Sequence, residues 1–165
     1  MKKNDGFTLI ELIVVILILG IMTGLGTIGF TYYHTLSSKS NLETLGTAFD
    51  TARYSTMASK EGVVELRIEN DGTYYYARIF ENSIISKEYK IGSSKYTLVL
   101  VTDSGTYQIV NNSIMIITFK KSDGSFSTCR LNDIKIPLGV SNYIESASSE
   151  SKLFLALETG RVRLK

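Results

Sequence analysis

The chain is poor in the side chains that do chemistry. It has one cysteine (Cys129), one histidine (His34), one proline (Pro137) and no tryptophan among 165 residues. A lone cysteine excludes an intrachain disulfide framework and any multi-cysteine zinc site. With a single imidazole as well, most catalytic and metal-binding chemistries lack their side chains, so no catalytic residue, metal or cofactor is expected. Charge of one sign is also missing: 18 basic residues face 16 acidic ones, a net charge of +2. That excludes a strongly basic nucleic-acid coat and an acidic tail, while leaving room for a local basic patch. The remaining composition, 44% apolar and 21% charged, is that of a globular chain with length for one domain and hardly two.

Abundance is concentrated at the N-terminus. From Phe7 to Phe30 the only charged residue is Glu11. As a helix such a run spans ~36 Å, against a hydrocarbon core of ~30 Å. Lys2 and Lys3 precede it, so the positive-inside bias puts the N-terminus in the cytoplasm and the body outside. A cleaved secretory signal explains this pattern poorly. Its apolar region runs to about 7–15 residues without a charge and ends at a small-x-small site; here Gly24-Leu25-Gly26 fits such a site, but Glu11 interrupts the run and Ile28 and Phe30 continue it. A plain anchor explains the length but not the acid.

An acidic side chain inside a membrane helix costs about 2.5–3.5 kcal/mol on insertion scales, so Glu11 calls for a partner. Cleavage between Gly6 and Phe7 would create an α-amine one turn before Glu11, protonated at neutral pH and able to neutralise the carboxylate. The partner is either the chain's own amine or a neighbouring subunit's. An intermolecular pair would select one axial stagger between packed helices.

The segment Lys2-Lys3-Asn4-Asp5-Gly6-Phe7-Thr8-Leu9-Ile10-Glu11-Leu12 resembles the class III signal of type IV prepilins and type II secretion pseudopilins. The resemblance implies cleavage after Gly6 by a prepilin peptidase, N-methylation of Phe7, and recruitment through Glu11 into a filament cored by N-terminal helices. It covers residues 1 to about 30. One departure stands out: many type IV pilins carry a proline in the second half of this helix, where this chain has Gly20, Gly24, Gly26 and Gly29. Each glycine lowers helix preference by about 1 kcal/mol relative to alanine, which permits local unwinding without the proline.

Helical spacing continues beyond the apolar run. Leu42, Leu45, Phe49 and Ala52 form one stripe, with Glu43, Asp50 and Arg53 off it. Residues 37–41 suit a kink or a cap, and Gly62 a stop. A helix from residue 7 to about 60 would be ~80 Å long. From Val63 the period falls to 2: Val64, Leu66 and Ile68 alternate with Glu65, Arg67 and Glu69 up to the turn Asn70-Asp71-Gly72. Further strands are expected over 73–80, 83–91, 96–102, 106–110, 113–119, 126–131, 152–157 and 161–164. A looser stretch around Pro137 and 146–151 separates the last two from the rest. The expected fold is α+β: a long N-terminal helix, its first half membrane-spanning, packed on an antiparallel β-sheet body, pilin-like. The divisions are a cytoplasmic leader (1–6), a transmembrane half-helix (7–30), an amphipathic half-helix (31–62) and the β body (63–165).

The body order is similar to that of the minor pseudopilin H (GspH/FimT-type) subfamily. The similarity rests on a helix ending near Ala58 to Gly62, on Ile116-Ile117-Thr118-Phe119 leading to Asp123-Gly124, and on the closing hairpin from Leu153 to Arg163. The lone Cys129 departs from major pilins that close a C-terminal loop with a disulfide.

Elsewhere the bland readings prevail. His34 follows the apolar run beside Tyr32 and Tyr33 and reads as interfacial. Cys129 lies in an expected strand and reads as a small packed residue. Tyr74, Tyr75 and Tyr76 are strand formers, of which at most two share a face. Asn111-Asn112-Ser113 is both a glycosylation triplet and a hairpin turn. Asp71-Gly72 and Asp123-Gly124 are turn chemistry, without the alternating acids of a calcium loop.

Arg161 and Arg163 project from one strand face, with Lys165 two further on. Some H-like minor pilins implicated in DNA uptake carry a similar Gly-Arg-x-Arg, which implies phosphate contact; edge-strand protection is the alternative. The expectation is a non-enzymatic, single-pass protein of the cytoplasmic (inner) membrane that enters a pilus or pseudopilus as a minor subunit. The partners implied are prepilin peptidase, other pilin or pseudopilin subunits, an assembly platform with its ATPase, the membrane and, on the alternative reading, DNA.

Overall fold

The computed structural model describes residues 8–60, 62–146 and 150–165, with backbone alone for 24–36. The chain divides into two units, Met1–His34 and Thr35–Lys165. The first contains the start of α1 (Leu9–Ala58). Its described large apolar side chains, among them Leu9, Ile13, Ile16, Leu19 and Met22, are all exposed. Among the described residues no helix is long and apolar enough to cross a membrane.

Among its described residues the second unit holds the rest of α1 and eleven strands: β1 (Val64–Asn70), β2 (Tyr74–Glu81), β3 (Ile84–Ser93), β4 (Leu98–Thr102), β5 (Gly105–Ile109), β6 (Ile114–Phe119), β7 (Phe126–Leu131), β8 (Ile134–Lys135), β9 (Tyr143–Ser146), β10 (Lys152–Ala156) and β11 (Arg161–Leu164). The fold is α+β, a helix packed on antiparallel sheets, and it is pilin-like. The strands divide into two sheets, ordered β3-β2-β1-β6-β7-β8 and β11-β10-β9-β4-β5.

Period-2 patterning fixes the faces. In β1, Val64, Leu66 and Ile68 point into the core while Glu65, Arg67 and Glu69 stay on the outer side. Side chains specify the turns. Asp71 Oδ1 accepts the N–H groups of Thr73 and Tyr74, both at 2.7 Å, and holds the β1–β2 connection. The two-residue β2–β3 turn puts Asn82 and Ser83 at φ 52° and 68°, the left-handed conformation that a tight hairpin needs.

Leu42, Leu45, Phe49 and Ala52 are fully buried, and the Phe49 ring meets Phe119 and Phe126 edge-on at 6.5 and 6.0 Å. Residues 37–41, expected as a kink or cap, are helical. The buried sector of α1 is wider than the expected stripe. A Cβ on Gly46 would sit 3.4 Å from Leu153 and 3.7 Å from Val162, so the helix rests on the inner face of β10 and β11. Arg53, read from sequence as off the stripe, is only 8% exposed. Two sheets, not one, cover the helix.

Tyr75 links the sheets. Its hydroxyl donates to the Ile109 carbonyl at 2.8 Å and accepts from the Leu98 N–H at 3.3 Å, joining β2 to β4 and β5. The hydroxyl is buried with both contacts made, which avoids the cost of a dry, unpaired polar group.

Candidate functional site

Gly6 and Phe7 lie outside the described residues, as does the side chain of His34. Glu11 is described, and it has a partner that sequence reading missed. The Thr8 N–H and hydroxyl both donate to Glu11 Oε2, at 2.8 and 2.9 Å, and the Glu11 N–H donates to Thr8 Oγ1 at 3.3 Å. This is a reciprocal capping box: an N-terminal threonine and a glutamate three residues on satisfy each other's open backbone donors. The spacing Thr-x-x-Glu was the signal. The carboxylate is therefore held at the helix start, near where a new N-terminus would lie.

The C-terminal hairpin presents the second set of expected residues. Leu153 and Leu155 of β10 turn inward, and Val162 and Leu164 of β11 pair with them. That alternation leaves Arg161, Arg163 and Lys165 exposed on the outer face. Arg163 lies opposite Phe154, whose ring is 5.4 Å from that of Tyr143. The Lys165 ammonium lies 5.4 Å from the Phe154 ring centre, and the Lys152 ammonium 4.4 Å from that of Tyr143. Lys152 also pairs with Glu145 at 3.5 Å. The face is a cation-rimmed aromatic pair.

Arg53 positions this hairpin. Its Nε donates to the Thr159 carbonyl at 2.7 Å and its Nη2 to that of Asp123 at 3.4 Å. One helical side chain thus holds the β6–β7 and β10–β11 turns. The Phe126 N–H, donating to the Leu157 carbonyl at 3.2 Å, joins the same two turns through backbone.

The remaining candidates behave as packing. Cys129 is buried, and burial pushes its thiol up to about 12, far from a reactive thiolate. A cleft of about 340 Å³ on the outer side of the first sheet is lined by Glu69, Tyr76, Arg78 and Ile114. Its charges are already used, since Arg78 pairs with both Glu69 and Glu88. Among the described residues no three His, Cys, Asp or Glu side chains come together as a metal site.

Residues 1–27 match the family model described as the prokaryotic N-terminal methylation motif. The N-terminus is thus of the prepilin type, and the match supports the type IV pilin and pseudopilin family. No curated protein and no solved structure matches the chain.

Proposed function

We propose that the protein is a prepilin-like structural subunit, cleaved after Gly6, methylated on Phe7, and assembled through its N-terminal helix into a type IV pilus or type II secretion pseudopilus. The observation that carries this reading is the methylation motif over residues 1–27, within which α1 presents exposed apolar side chains on every side from Leu12 to Met22. A helix without a polar face needs lipid or other helices around it. The span over residues 7–30, with the N-terminus cytoplasmic and the body outside, belongs to the same proposal. So do a minor, H-type role and the partners it requires: prepilin peptidase, other subunits, and an assembly platform with its ATPase. Nothing in this reading asks for catalysis by the chain itself.

Intact-mass spectrometry of the natively expressed protein tests it. The expected product begins at Phe7 and carries one added methyl group. A mature N-terminus at or beyond Gly24 would overturn the filament reading in favour of ordinary signal removal.

A second reading, a DNA-uptake minor pilin, is favoured by the exposed Arg161, Arg163 and Lys165 beside Phe154. Two or three phosphate contacts would give a log–log salt slope of about −2 to −3 for duplex DNA, by the rule of roughly −0.9 per contact. Absence of binding at low salt would discard that reading.

A further inference from the structure

We infer that the acidic outer stripe of α1 docks on the basic outer face of β10 and β11 in a second copy of this chain, head to tail. The inference rests on the filament-subunit reading and names the partner surface within it.

Glu43, Thr47, Asp50 and Tyr54 fall at four-, three- and four-residue steps, one line along the helix. They lie on the side away from Leu42, Leu45, Phe49 and Ala52. Glu43, Thr47 and Tyr54 are exposed and Asp50 is half-buried. The ion pairs among the described residues involve neither acid, and Lys39, one turn before Glu43, is not joined to it. The same holds for Arg161 and Arg163 on the opposite side of the fold. Two surfaces of opposite sign are therefore left open on one chain.

These surfaces do not meet within one copy. Gly46 seats α1 on the inner face of β10 and β11 while Arg161 and Arg163 project from the outer one, and no ion pair among the described residues joins them to Glu43 or Asp50. A two-fold contact of either surface with itself would set like charge on like. A head-to-tail contact joins opposite charges and leaves a free surface of each kind at the ends, so it propagates. It operates between any two consecutive copies and serves a short run as well as a long one.

The spacings agree. Glu43 and Asp50 are two helical turns apart, about 10.5 Å at 1.5 Å per residue. Arg161 and Lys165 are about 13 Å apart at 3.3 Å per strand residue. Both acids can then reach a cation at once through flexible side chains. Exposed ion pairs are individually weak, so this contact selects stagger and partner, while the apolar helices supply cohesion.

Charge reversal in the full-length chain, produced with its own assembly machinery, tests the proposal. The readout is incorporation into sheared filament fractions. Glu43→Lys with Asp50→Lys, and separately Arg161→Glu with Arg163→Glu, should each lower incorporation about tenfold, as expected from losing two exposed pairs. All four reversals in one chain should restore it to within about twofold, because the pairs re-form with opposite polarity. Equal levels of processed protein, with unchanged thermal unfolding, show that folding is intact; the neutral pair Glu43→Gln with Asp50→Asn gives a milder loss should a reversal fail to fold. Failure of the fourfold variant to recover, or no loss in either double variant, overturns the contact while leaving the filament reading standing. Loss of duplex DNA binding in the arginine variant, with no effect of the acid variant on incorporation, assigns the basic face to nucleic acid and also overturns it. Absence of wild-type protein from filaments removes both readings together.

Discussion

A Cβ built on Gly160 would lie 1.7 Å from the carbonyl oxygen of Gly124. The two glycines belong to turns of different sheets, β10–β11 and β6–β7, and both have positive φ, 64° and 71°. The Arg53 side chain runs alongside, close enough that a Cβ on Gly124 would meet its Nε at 2.8 Å. Helix, first sheet and second sheet thus converge on a junction filled by the two backbone turns and the side chains of Arg53 and Met57. The junction fixes the strand that carries Arg161 and Arg163.

Gly160→Ala should therefore destabilise the body well beyond an ordinary turn substitution. Positive φ costs an alanine about 1 kcal/mol, and overlap with fixed backbone adds about 1–3 kcal/mol. Urea unfolding of the full chain in detergent should show a loss of about 2–4 kcal/mol. A loss below about 1 kcal/mol would mean that the turns separate easily.

Arg53→Met tests the other half of the junction. It keeps an apolar stem of similar length and removes the donors to Thr159 and Asp123. A hydrogen bond to a charged group is worth about 1.5–3 kcal/mol, and the 3.4 Å bond to Asp123 counts for less than the 2.7 Å bond to Thr159, so a loss of about 2–4 kcal/mol is expected by the same measurement. Arg53→Lys should recover less than half of it, because a single ammonium cannot replace a planar fork aimed at two carbonyls. Full recovery by lysine would reduce the interaction to simple charge.

Arg53 also marks where the sequence stopped being legible. The stripe Leu42, Leu45, Phe49, Ala52 was readable because one-sided burial leaves a 3.6-residue period, and all four are buried. A helix covered by two sheets buries a wider sector, and only tertiary structure places Gly46 and Arg53 inside it. Alternation likewise gave the faces of β1 but not its neighbours. β6 returns to pair with β1, while β4 and β5 leave for the other sheet. Period 2 says which side is apolar and nothing about which strand lies alongside. β9 was missed because its four residues sit among glycine, serine and asparagine, where composition signals a loop. The Thr8–Glu11 cap is present in the spacing Thr-x-x-Glu, but the same carboxylate suits an amine partner equally well, and spacing alone does not choose between them.

Cys129 gives a pH-dependent prediction. Burial raises its thiol from an ordinary value of 9.0 to about 12. The folded state holds the protonated form, so its stability contribution is complete below about pH 9. It is lost as pH rises toward about 12, at up to ~1.4 kcal/mol per pH unit. Cys129→Ala lacks this loss, and titration of tyrosines and lysines is common to both chains. The stability gap between wild type and variant should therefore narrow between pH 9 and pH 11, and the folded thiol should resist an aromatic disulfide reagent at pH 8. Labelling at the rate of a free thiol would contradict the burial.

The last prediction separates two roles for Glu11 that coincide in one carboxylate. Held by Thr8 at 2.8 and 2.9 Å, it caps the helix; on the proposed filament reading, an anion at the start of an apolar stretch is also suited to pair with a neighbour's N-terminal amine. Glutamine can serve in the same box, so Glu11→Gln keeps the cap and removes only the charge. Thr8→Val does the reverse, at a cap cost of about 0.5–2 kcal/mol, and Glu11→Ala removes both. If charge sets the register between subunits, Glu11→Gln and Glu11→Ala should both be processed normally and both fail to enter sheared filaments, while Thr8→Val enters them. Glutamine carries no charge into lipid, so the Glu11→Gln helix should anchor at least as well as the wild type, which makes poor incorporation a defect of assembly and not of anchoring. If capping is the whole role, the pattern inverts: Glu11→Gln behaves as wild type and Thr8→Val fails. Quantifying the three variants in membrane and filament fractions of the same cells decides between them, since charge and cap are lost in different combinations.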